Sequence, residues 1–161
     1  PGIMWRSMLH HGIWEVPMLD ARQVAEVMGG EAVLGFPVAS LADLQAAVER
    51  GLPTEALRAV ARRLFPDSAN QRSTIHGVVP PATLKRRKGR LSLVESERTE
   101  RLARILAIAE DVLGDRAEAH RFLTTAHPLL DDRLPWDAAA TDLGARRVEQ
   151  VLRSIEHGLP V

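Results

Sequence analysis

The chain has 161 residues, 45% of them apolar but only 4% aromatic, with no tyrosine and no cysteine. That length allows one domain or two small ones with a core of Leu, Val, Ala and Ile, a diet that suits helices better than strands. The missing cysteine excludes disulfides, thiolate metal sites and a cysteine nucleophile. The formal net charge is zero, yet residues 51–90 carry nine Lys or Arg against two Asp or Glu, a net +7 between segments of −3 and −4.

Residues 1–39 read as a partly ordered arm. The prolines after Val16 and Phe36 disfavour helix at the preceding residue, and Gly29-Gly30 breaks a short helical stretch over 21–28. Ser40 reads as the N-cap of a helix with Leu41, Leu44, Ala47 and Val48 at helical spacing and Gly51 at its end. Pro53 opens a second helix, with Leu57, Val60, Ala61 and Leu64 on one face, which stops at Phe65-Pro66. A short helix is expected over 70–76 before Gly77, and Pro80-Pro81 suits the first turn of another running to about Lys88, where Gly89 ends it. Three short helices joined by tight turns, the last one basic, form a helix-turn-helix pattern.

Ser92 and Glu95 then have the spacing of a capping box. The helix they open runs to about Leu113, with Leu102, Ile105, Leu106, Ala109, Val112 and Leu113 as its apolar stripe and Gly114 as its stop. Asp115 caps a helix through Phe122 and Leu123, residues 126–135 read as a loop, and a short helix follows over 135–140. The last helix starts at Asp142 or Leu143, carries Val148, Val151, Leu152 and Ile155 on one face, and is closed by Gly158. The expected fold class is all-α: a helix-turn-helix-like domain of the Cro/repressor kind over 40–91, then a helical domain over 92–161. No apolar run approaches the ~18 residues of a membrane span and no signal-peptide pattern is present, so a cytoplasmic protein with no membrane partner is expected.

The densest chemical signal is the basic run Lys85, Arg86, Arg87, Lys88 and Arg90. On a helix Lys85 and Lys88 share a face, from which Arg can read guanine edges while Lys holds phosphates. The alternative is a solvated helix end favoured by the helix dipole. No metal site is expected: His10 and His11 point apart on any regular element, and His76, His120, His127 and His157 have no ligand partner at helical spacing. There is no phosphate-binding glycine loop, nucleophile elbow or matched acid and base, so neither an enzyme nor a cofactor is expected. Asp131-Asp132 reads as a solvated loop pair. Trp136, the Arg146-Arg147 pair and the last amphipathic helix suit either a protein-binding surface or a terminal helix docked on its own core, and the pattern leaves both open.

Taken together, ERGLP at 49–53, TLKRR at 83–87, GRLS at 89–92, ESER at 95–98, RLAR at 101–104, AHPLL at 126–130, LP at 134–135, LGA at 143–145, Val148 and IEHG at 155–158 resemble the Xre/MbcA/ParS antitoxins over residues 24–161. The resemblance implies a type II antitoxin whose partner is a RES-domain toxin that degrades NAD. It implies neutralisation by direct binding through the C-terminal domain, here 92–161, whose end lies near the toxin's active-site entrance. Carried over by position, that points to Arg146, Arg147, Glu149, Glu156, His157, Gly158, Leu159, Pro160 and Val161; Trp136 joins this expected surface on residue type alone, as a favoured interface anchor. It further implies a homodimer that represses its own operon by binding operator DNA through Lys85, Arg86, Arg87, Lys88 and Arg90. The short, polar middle helix departs from a standard repressor, which weakens DNA binding by a free dimer or makes it depend on the toxin for avidity. The rival readings are a transcriptional repressor with no toxin partner and a small enzyme.

Overall fold

The computed structural model describes residues 20–158; His10, His11 and the first half of the expected arm lie outside them. Among the described residues every regular element is a helix or 3-10 turn, and strand pairing is limited to two isolated antiparallel bridges, Pro53 with Arg90 and His127 with Arg133.

Residues 20–39 do more than the one short helix expected of an arm. Asp20 caps α1 (Ala21–Val27), and Gly29-Gly30 turns the chain into α2 (Gly30–Leu34). Val24, Val27, Met28 and Leu34 are buried in the main core, at about 1.5–3 kcal/mol for each fully buried aliphatic side chain. Two helices this short leave too few turns for periodicity to stand out.

Ser40 caps α3 (Leu41–Glu49) through a capping box with Asp43, burying Leu44 and Ala47 but leaving Leu41 in solvent. The amphipathic α4 (Thr54–Leu64) buries Ala56, Leu57, Val60, Ala61 and Leu64 and ends at Phe65, ahead of Pro66. The middle helix, α5 (Ser68–Val78), is longer than expected: Asp67 caps it and it runs through Gly77, where nothing crowds the backbone. Only Val78 of it is buried. The basic helix α6 (Pro81–Arg86) is shorter than expected, because Arg87 already has extended dihedrals.

The chain from Arg87 to Ser92 forms an extended strap against the α3–α4 corner. Thr54 N–H donates to Gly89 O at 2.9 Å, and Leu91 N–H to Leu52 O at 2.8 Å. Gly51, at φ 84°, permits the approach: a Cβ there would stand 2.6 Å from the Leu91 carbonyl oxygen.

The predicted capping box opens α7 (Leu93–Leu113): Ser92 N–H donates to Glu95 Oε2 at 2.7 Å. Its apolar surface is wider than one stripe, because Ala103 and Ala107 are buried beside Leu102, Ile105, Leu106 and Ala109. The helix packs against α1, α3 and α4 and, further on, against α8 (Arg116–Leu123) and α10 (Asp142–Glu156). Between these last two lie the 3-10 turn Pro128–Leu130 and α9 (Pro135–Ala138). Half-buried ion pairs tie both groups of helices to α7. Arg63 of α4 grips Glu110 with two bonds of 2.9 and 2.7 Å, and Arg104 joins Glu100 on α7 to Glu149 on α10.

Candidate functional site

Two surfaces of different chemistry emerge. The first is cationic. Of the nine Lys and Arg in 51–90, Arg62 pairs with Glu55, Arg63 with Glu110 and Arg87 with Glu95, while Arg90 donates to Gly51 O at 2.7 Å. Arg58, Arg72, Lys85, Arg86 and Lys88 are left exposed, with no ion pair among the described residues.

The basic run is therefore divided. Lys85 and Arg86 stand on the exposed last turn of α6, while Lys88 lies beyond its end on the strap, not on a shared helical face with Lys85. Arg87 turns back on the protein. Its Nη2 is 2.6 Å from Glu95 Oε1, and its Nε is buried without a partner. Burial alone would raise the Glu95 carboxyl, but the Ser92 N–H and the Arg87 guanidinium hold it below its ordinary value. Sequence reasoning missed Arg58 and Arg72, which fall outside the dense run and stand out only once their neighbours are seen to be paired.

The second surface runs over α10 and the loop before α9. Trp136 and Glu149 do not face solvent there. Trp136 is buried edge-on against Phe65, with ring centroids 6.2 Å apart, and Glu149 is buried between Arg104 and Arg153. Both lie on turns that also carry exposed residues, so composition could not separate them from the surface. Arg146, Arg147, Glu156, His157 and Gly158 are exposed. Arg146 pairs with Asp142 at 3.1 Å. Arg147 binds Asp131 at 2.8 Å and donates to Leu129 O at 3.0 Å, which holds the Asp131 carboxyl below its ordinary value. Leu159, Pro160 and Val161 lie outside the described residues. Among the described residues, no group of three His, Cys, Asp or Glu could hold a metal ion, and no helix is long and apolar enough to cross a membrane.

A family model described as the antitoxin Xre-like helix-turn-helix domain matches residues 43–104, the part that carries the cationic surface. A second, described as the antitoxin Xre/MbcA/ParS C-terminal toxin-binding domain, matches residues 109–158, the part that carries the other. The chain belongs to the Xre/MbcA/ParS antitoxin family. Among curated relatives, it is 34% identical over 84 residues to an antitoxin Xre of Pseudomonas putida, covering 50% of this chain and 53% of the relative. It is 33% identical over 85 residues to an antitoxin Xre of Yersinia enterocolitica, covering 50% and 57%. The chain spans about half the length of the curated relatives it matches. In this Xre/MbcA/ParS family chain the two matched segments meet inside α7, between residues 104 and 109, so one continuous helix belongs to both.

Proposed function

We propose that this chain is a type II antitoxin that binds a RES-domain, NAD-degrading toxin with its C-terminal half and represses its own operon with its helix-turn-helix half. The observation that carries the reading is the pair of adjoining family matches, each falling on one of two chemically distinct surfaces. Inhibition is occlusion: an α10 surface that includes Arg146, Arg147, Glu156, His157 and Gly158, continued by Leu159–Val161, covers the toxin's active-site entrance and keeps NAD out. Trp136 and Glu149 act from beneath, Trp136 by packing on Phe65 and Glu149 by fixing α10 to Arg104. No step of this mechanism is catalytic.

On the DNA side, Lys85, Arg86 and Lys88 neutralise operator phosphates, while Arg87 and Arg90 fix the strap that presents them. A homodimer is part of the reading. Leu41 and Leu93 stand exposed beside a groove between α3 and the first turns of α7, apolar surface that a second copy would cover.

The test is NAD consumption by the purified RES-domain toxin of the same operon, titrated with this chain. Loss of activity at a fixed stoichiometry is expected. Full toxin activity at excess chain, with operator binding retained, would leave the repressor without a toxin partner as the reading; the exposed Arg58, Arg72, Lys85, Arg86 and Lys88, without an ion pair among the described residues, favour that second reading if inhibition fails.

A further inference from the structure

The loop between α8 and α9 is held in a shape its residues do not prefer. Asp131 and Asp132 both have left-handed backbones, at φ 59° and 55°, a region that residues other than glycine seldom adopt in succession. The surroundings leave them no alternative. His127 N–H donates to Arg133 O at 3.1 Å, Leu130 N–H to His127 O at 2.9 Å and Arg133 N–H to Leu130 O at 3.1 Å. The Leu129 N–H donates to His127 Nδ1 at 3.2 Å. The Leu130 side chain is fully buried, and Arg147 clamps Asp131 and the Leu129 carbonyl from α10.

This rigid turn presents Leu129, whose side chain is not in the core although its neighbour Leu130 is: Leu129 is 50% exposed. On α10, Leu143 stands one turn before Arg147 on the same helical face and is 73% exposed. Two leucines thus flank one arginine whose position is fixed at both of its terminal nitrogens. A single exposed leucine needs no explanation. Arginine is a favoured residue at interface centres, and apolar side chains beside a fixed guanidinium, on backbone that needs no further ordering, can be buried by a partner at little entropic cost. The surrounding charges balance, Asp131, Asp132 and Asp142 against Arg133, Arg146 and Arg147, which suits a protein partner and neither a phosphate backbone nor an anionic membrane.

We propose that Leu129 and Leu143 are apolar anchors that insert into the toxin surface, with Arg147 and Asp131 as the positioning pair that holds them apart. The proposal rests on the antitoxin reading above, and the patch lies within the segment matched to a toxin-binding domain. It extends the contact surface from the helix end expected from sequence to the loop beside the start of α10.

The experiment measures affinity of the full chain for the RES-domain toxin of the same operon, by calorimetry at low and high salt. Leu129→Ala and Leu143→Ala are each expected to weaken binding about tenfold, the loss of most of one leucine's burial at the interface, with thermal unfolding unchanged because both side chains are exposed. Arg147→Ala should weaken it as well, by freeing the loop. Wild-type affinity should change only severalfold with salt, whereas operator binding by the same chain should fall steeply. Wild-type affinity in Leu129→Asp/Leu143→Asp overturns the proposal and leaves the antitoxin reading standing. Absence of binding by the unmodified chain overturns both.

Discussion

Asp131 and Asp132 differ in what their left-handed backbones gain. Asp131 receives the Arg147 guanidinium; Asp132 is exposed, and its side chain makes no ion pair among the described residues. Replacing Asp132 by Gly should remove roughly 1 kcal/mol of strain, part of it offset by the extra freedom of the unfolded chain. A small rise in melting temperature is expected; a fall would mean that its carboxylate has a partner. Glu95 carries the other residue-scale prediction. Its carboxyl is depressed in the folded chain, so its contribution is present above the ordinary carboxylate range and is lost as the pH falls through the folded value. Glu95→Gln keeps an oxygen to accept from the Ser92 N–H but removes the charge that meets Arg87, and should cost about 1–2 kcal/mol at neutral pH through the stranded guanidinium. Denaturant unfolding should show a shallower loss of stability towards acid in the variant than in the parent chain; parallel curves would remove Glu95 from the acid response.

Among the elements, the corner between α9 and α10 is the tightest. A Cβ on Gly144 would stand 1.9 Å from the Ala138 carbonyl oxygen, which is backbone and cannot swing away. Gly144→Ala should therefore force the first turn of α10 off α9, at about 1–3 kcal/mol by the usual cost of overpacking. A melting temperature within a degree or so of the parent would show that the corner can open freely. The same corner carries Leu143 and Arg147, so toxin affinity should fall with it. The end of α6 is set by a different force. Lysine and arginine at 85–88 have good helix propensity, yet the helix stops at Arg86. The strap beyond it is held by hydrogen bonds to 52–54 and by Arg87 on Glu95.

Over the whole molecule, the balanced formal charge hides a cationic surface and a charge-balanced one, and the proposed function gives them different salt responses. Replacing Lys85 and Arg86 together by Ala should lower the salt dependence of operator binding by about 0.9 in log–log slope for each phosphate that is no longer neutralised. Toxin affinity should be unchanged; an equal loss of both would mean that the halves do not act separately. The ion pairs on either side of α7 argue for separable surfaces on one rigid core. Leu93→Glu tests the homodimer proposed above: sedimentation should move from dimer towards monomer, and an unshifted dimer would place the contact elsewhere.

Local chemistry made much of this fold legible. The caps at Ser40, Ser92 and Asp115, the stop at Phe65-Pro66 and the amphipathic stripes of α4 and α10 all act within about four residues, and each was readable from the sequence. So was the order of the two halves, through motifs spread along the chain. Which cations remain free was not readable, because their partners lie at other distances: Glu95 is 8 residues from Arg87, Glu149 is 45 from Arg104 and Glu110 is 47 from Arg63. The burial of Trp136 and the exposure of Leu129 and Leu143 belong to the same class. Neighbouring residues dictate the helices, their caps and the concentration of positive charge. Packing decides which side chains that charge and those leucines present to a partner, because burial and pairing depend on residues that meet only in the folded chain.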